Sequence, residues 1–290
     1  MGGNRRFPRD DRVLPFTRGL SLFITPFLLV AFVILYVFPS HTERVWAWPI
    51  PATMTSMVLA SAYLGGAYFF LRVQRERHWH AIGTGLLAVT TFASLLGVAT
   101  VLHWQKFSHD HLAFWLWAGL YFTAPFLVIG AWLTNRRYAG PPRDDDVLLG
   151  PVERSVVALV GAMALVQGVV MFLAPSAMIP LWPWPLTPLT CRVLAAVFCL
   201  GMAGIGASRD PRWSSVRLML EVEAVMLVLM LVAAVRAHEE MIPGRALTWP
   251  LLVGVLLALA GSAYLWTAYE VRPRSGATAV RQPRTTRSQR

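Results

Sequence analysis

Residues 19–38 read GLSLFITPFLLVAFVILYVF, twenty successive positions without a charged side chain. At 1.5 Å rise per residue such a run, coiled as a helix, is about as long as the hydrocarbon layer of a bilayer is thick, roughly 30 Å. Comparable apolar stretches lie at 53–72, 81–102, 112–134, 155–174, 189–207, 215–236 and 247–268. They are continuously apolar, whereas barrel strands are shorter and alternate with polar positions, so the runs predict helices. The expected fold is an all-α membrane protein with eight transmembrane helices. The whole composition agrees: 56% of the 290 residues are hydrophobic and 14% charged, with a mean hydropathy of +0.53. A soluble domain carries nearer a quarter of its residues as charges.

The net charge of +11 suggests nucleic acid until the charges are placed. Phosphate tracking needs one continuous basic surface, and here the charges alternate between connections. On an eight-helix layout 21 of the 26 basic residues fall on one side, among them Arg18, Arg72, Arg136, Arg154, Arg217 and the six arginines from Arg272 to Arg290. The other side holds Arg44, Lys106, Arg192, Arg236 and Arg245. The positive-inside rule then places both termini in the cytoplasm of a cell membrane, with no nucleic-acid partner. The basic tail, residues 271–290, is expected to be disordered and to attract anionic lipid. Arg5 and Arg6 precede the first apolar run, but its length and the lack of a small-x-small cleavage site predict a retained helix. The start Met-Gly-Gly-Asn-Arg-Arg lacks the hydroxyl residue of a myristoylation signal.

The eight runs have an internal order. Pro39-Ser40, Trp46, Trp48 and Pro49 recur as Pro175-Ser176, Trp182, Trp184 and Pro185, all 136 positions later. Arg18 with Arg154 and Gly65 with Gly201 share that offset. An offset of 135 pairs His103 with His238, and one of 134 pairs Trp115 with Trp249 and Trp132 with Trp266. Two four-helix units are expected, 1–135 and 151–270, joined by a polar linker at 136–150. Four spans per unit is an even number, so both copies enter the membrane in one direction, related by a pseudo-twofold axis along the membrane normal.

Candidate chemistry is sparse. The outer side carries His41, His103, His109, His111 and His238, and imidazoles with the nearby carboxylates suit a divalent metal or haem. The competing role is capping of helix ends. His238-Glu239-Glu240-Met241-Ile242 fails the His-Glu-x-x-His pattern at its last position. Within the membrane, Glu221 and Glu223 sit on the seventh helix and Arg192 near the outer end of the sixth, each a functional candidate because a charge there costs at least about 2.5 kcal/mol. Arg217, one turn before Glu221, is placed to neutralise it. Glu223 points about 200° away from Glu221 and has no such partner, leaving the hydroxyls of Thr90, Thr91 or Ser94 as its structural alternative. Trp46, Trp48, Trp182 and Trp184 are expected as interfacial anchors. Pro26 and Pro125 are expected to kink the first and fourth helices. Cys191 and Cys199, about 12 Å apart along one helix, lie beyond disulfide reach.

Lys106 is the only lysine, which excludes an intramembrane retinal Schiff base, and no phosphate-binding loop, nucleophile elbow or Cys-x-x-Cys pair occurs. The expected function is that of a non-enzymatic, transporter-like or accessory membrane component with a polar pocket opening outward. The competing expectation is a redox protein holding haem or metal on the outer histidines. Arginine outnumbers lysine 25 to 1, as a GC-rich bacterial genome would encode.

Overall fold

The computed structural model describes residues 9–271; Arg5, Arg6 and the tail arginines lie outside them. Eight helical segments are long and apolar enough to cross a membrane, the sixth of them Pro188–Ser208; their main helices are α1 (Pro15–Phe32), α2 (Thr53–Arg75), α3 (His80–Leu102), α4 (Leu112–Asn135), α5 (Pro151–Leu173), α6 (Pro188–Cys199), α7 (Trp213–Arg236) and α8 (Thr248–Trp266). The chain is a multi-pass membrane protein in architecture, and among the described residues it forms no strand, only two isolated bridges. Prolines in the first turns of α1, α5 and α6 start helices where an amide donor would be unused anyway. Thr187 and Thr190 add a reciprocal capping box to α6. Pro26 and Pro125 are both accommodated inside unbroken helices, and α1 closes in a π turn at Val33–Val37.

The sixth span departs from the continuous helix expected over 189–207. It stops at Cys199, turns through Leu200 and Gly201, resumes at Met202–Ile205 and ends in a 3₁₀ turn. The cause is a close approach to α5. A Cβ at Gly161 would lie 2.4 Å from the Gly201 carbonyl oxygen, and one at Gly204 would lie 2.8 Å from that of Val157. Small residues let two backbones touch in a membrane, where burial of apolar surface alone gives little drive to associate.

The interior is made by α2, α3, α6 and α7: α2 packs on α7, and α3 on both α6 and α7. Each inner helix carries an outer companion, α1 on α2, α4 on α3, α5 on α6 and α8 on α7. The companions turn large apolar side chains outward, including Phe23, Phe126, Met163, Leu173 and Leu257, the surface that lipid tails require.

Backbone hydrogen bonds at both ends of the bundle recur at set spacings. Trp79 donates to the Asp11 carbonyl at 2.7 Å and Trp213 to that of Val147 at 2.8 Å. At the opposite end Ser108 donates to Ala47 at 2.8 Å and Ile242 to Pro183 at 2.7 Å. Acceptors in these pairs are 136 positions apart and donors 134. At the same spacing of 134 the His103 N–H bonds to the Ala99 carbonyl and the Ala237 N–H to that of Ala233, and Glu221 and Glu223 stand 134 positions after Leu87 and Val89.

Candidate functional site

The two acids of α7 have different surroundings. The Glu221 carboxylate meets the Arg72 guanidinium, accepts from the Tyr68 hydroxyl at 2.6 Å and accepts from Arg217 Nε at 3.0 Å. Arg217 reaches on to Glu270 at 3.3 Å, and the Trp213 indole N–H donates to that same carboxylate at 3.0 Å. Two arginines and two glutamates thus neutralise one another across α2, α7 and the end of α8. The expected Arg217 contact is present; Arg72, Tyr68 and Glu270 come from distant sequence that no local spacing could connect.

Glu223 makes no hydrogen bond or ion pair among the described residues, and it is partly buried. At 100° per residue it falls on the stripe holding Met219 and Met226. Those two methionines press on Gly85 of α3 and Gly65 of α2, so the stripe faces the interior of the bundle. The threonine hydroxyls expected to satisfy Glu223 are engaged elsewhere. Thr90 donates to Leu86 at 2.8 Å, and Thr91 donates to Leu87 and to the Met202 sulfur.

The outer histidines have different partners. His103 Nε2 lies 2.8 Å from Arg192 Nη1, and Arg192 Nε donates to the Phe172 carbonyl at 3.1 Å. Facing a guanidinium, that nitrogen serves as the acceptor, so the ring is neutral. Burial, then the charges of Arg192 and Lys106, hold its pKa below the ordinary value. His109 packs between Trp104 and Phe114, His111 Nδ1 lies 3.4 Å from the Trp46 carbonyl oxygen, and the exposed His238 bonds to Val235 of its own helix end. Among the described residues no three His, Cys, Asp or Glu side chains are grouped to hold a metal ion. His103 and His238 thus have separate partners, the first Arg192 and the second its own helix end.

The four repeated tryptophans also differ from expectation. Trp46 is 7% exposed and Trp48, Trp182 and Trp184 are 1% exposed, so their rings fill the protein and do not serve as outward anchors. Trp46 and Trp48 pack with Trp117 and each other, and Trp182 with Trp184 and Phe198. The Trp184 N–H donates to the Thr55 hydroxyl at 2.8 Å, while those of Trp46, Trp48 and Trp182 are buried without a partner. An unsatisfied buried donor costs roughly 1–3 kcal/mol.

A second polar cluster lies at the arginine-rich end. His80 Nδ1 bonds the Asp11 carboxylate, and its Nε2 lies 2.8 Å from the Ser214 hydroxyl. Asp11 has a left-handed backbone, φ 57°, held by bonds from its N–H to Tyr138 and from Trp79 to its carbonyl. The trio ties the first residues of α3 and α7 to the segment before α1. An aspartate pair between arginines, Arg9-Asp10-Asp11-Arg12, offers no sign of this in the sequence. Cys191 and Cys199 are buried and unpaired.

An aromatic, uncharged cavity lies between α1 and α4. No protein family, curated protein or solved structure matches this chain. The fold and its sites therefore define its class without a relative: a multi-pass helical membrane protein with an acid on its interior stripe that has no partner among the described residues.

Proposed function

We propose that the chain is a transporter-like component of a bacterial-type cell membrane, both termini in the cytoplasm, in which Glu223 takes up and releases a proton or small cation. The carrying observation is the contrast on one helix: Glu221 is neutralised by two arginines and a tyrosine, whereas Glu223, on the interior stripe, has no partner among the described residues. An ionisable side chain is expensive at that depth, and where no structural bond accounts for it a transported ion does. The recurring hydrogen bonds and the pairing of inner helices, α2 with α7 and α3 with α6, support two four-helix halves about a pseudo-twofold axis along the membrane normal. The acids lie in one half only, opposite Leu87 and Val89, so the ion site is asymmetric.

The test is proton movement into proteoliposomes carrying an entrapped pH-sensitive dye under an imposed membrane potential. Wild type is expected to conduct or couple protons and Glu223→Gln to lose that flux while keeping its thermal unfolding temperature. Equal flux in both proteins sinks the proposal.

A further inference from the structure

Asp11, His80 and Ser214 form a chain of hydrogen bonds. One Asp11 carboxylate oxygen bonds His80 Nδ1, the other accepts from the His80 backbone N–H at 3.2 Å, and the remaining ring nitrogen, Nε2, lies 2.8 Å from Ser214 Oγ. A carboxylate only accepts, so the hydrogen of the neutral ring sits on Nδ1 and Nε2 keeps its lone pair. The Ser214 hydroxyl therefore donates to Nε2, its one hydrogen-bond partner among the described residues. Ser21, Ser61, Ser155 and Ser208 by contrast give their hydrogens to a carbonyl three or four residues back.

The surroundings divide the trio. The His80 and Asp11 side chains are 8% and 5% exposed, which holds the ring in one orientation, whereas Ser214 is partly exposed. Ser214 is the second residue of α7. The N–H groups on either side of its own, those of Trp213 and Ser215, bond the Val147 and Arg212 carbonyls, while that of Ser214 has no acceptor among the described residues. A free first-turn amide beside the hydroxyl, at the positive end of a 24-residue helix, suits the negative oxygen of a tetrahedral intermediate. The sequence carries no nucleophile elbow, but an acid, an imidazole and a hydroxyl in this order are defined as a unit by geometry and roles, not by position in the chain.

We propose that Ser214 is a nucleophile toward carboxylic esters, with His80 as its general base and Asp11 as the positioning residue that holds the ring. The spans α1 and α7 begin at Pro15 and Trp213, next to the trio, so the substrates that reach it are lipid esters at the membrane surface. Ser214 Oγ attacks the ester carbonyl carbon as its proton passes to His80 Nε2. The tetrahedral intermediate collapses, the C–O bond to the alcohol breaks, and that proton goes to the leaving oxygen. Water then attacks the acyl-Ser214 ester and gives a proton to Nε2, and the carboxylic acid leaves as this proton returns to Ser214 Oγ. The sum is ester plus water giving acid and alcohol.

Two measurements on the detergent-purified full chain test this: labelling by a fluorescent fluorophosphonate, and release of fatty acid from phosphatidylglycerol in mixed micelles. One label per chain is expected, mapped by peptide mass spectrometry to Ser214 and not to the exposed Ser155. Ser214→Ala should abolish labelling and release, and His80→Gln should slow labelling about 100-fold or more. Asp11→Asn, which tolerates the left-handed backbone, should lower kcat for release by about 100-fold or more and leave KM unchanged, a split that loss of a structural tie does not give. Absence of labelling at Ser214 in wild type, a result that depends on no variant folding, overturns the proposal, as does labelling that His80→Gln leaves at the wild-type rate. Labelling at Ser214 without fatty-acid release overturns the lipid assignment.

Discussion

At the scale of single residues, the two acids of α7 invite opposite substitutions. Glu221→Gln takes the counter-charge from Arg72 and leaves Arg217 only Glu270, in a site where the carboxylate is 9% exposed; the loss should be about 3 kcal/mol. Glu223→Gln removes a charge that nothing neutralises and should change stability by less than about 0.5 kcal/mol. Denaturant titration of both variants in one detergent checks the pair, and equal losses would remove the distinction between them. His103 supplies a pH test. Its pKa is lowered in the folded chain by burial first and then by Arg192 and Lys106, so the unfolded chain binds a proton more readily. The stability it contributes is complete above the ordinary histidine value of about 6.5 and is lost as pH falls through the lower folded value. Unfolding temperatures measured from pH 7.5 down to 5 should therefore fall for wild type, and fall less for His103→Gln, which keeps an acceptor and does not titrate.

At the scale of elements, the α5–α6 contact is the one most exposed to a single change. A side chain at Gly161 must displace the Gly201 carbonyl and the Gly204 backbone, neither of which is a flexible group. Gly161→Leu should cost more than about 3 kcal/mol, the upper end of overpacking losses. Gly119, in the middle of α4 with nothing within 4 Å of where a Cβ would stand, is the control; Gly119→Ala should be neutral or stabilising by up to about 1 kcal/mol. Thermal melts of the two variants give the comparison. The eight spans are readable in the sequence because each is a continuous apolar run, a property of neighbouring residues. The break at Leu200–Gly201 is not, since it follows from a glycine forty positions earlier. The Trp-x-Trp-Pro segments are visible as a pattern, but their place is not: tryptophan favours the interface on average, and only packing shows that these four turn inward. Arg72, Glu270, Asp11 and Ser214 carry no local signal, because their partners arrive from other helices.

For the whole molecule, the inner contacts cross from one set of four helices to the other, while the connection at 136–150 adds chiefly the backbone bonds of Val147 and Leu149. Two fragments, 1–143 and 144–290, expressed together should therefore associate and purify as one complex. Failure to copurify would mean that the covalent link, and not the α2–α7 and α3–α6 faces, holds the bundle together. One long-range bond also bears on the order of assembly. The Glu240 carboxylate accepts from the first amides of α2, Thr53 and Met54, at 2.8 Å each, so an early span is capped by a residue that follows the seventh. At synthesis rates of about 5–20 residues per second, α2 waits on the order of 10–40 s with those amides unmet. Ribosome-released chains ending before residue 240 would expose that uncapped end permanently. In a pulse-chase they should be degraded by membrane proteases faster than the full chain.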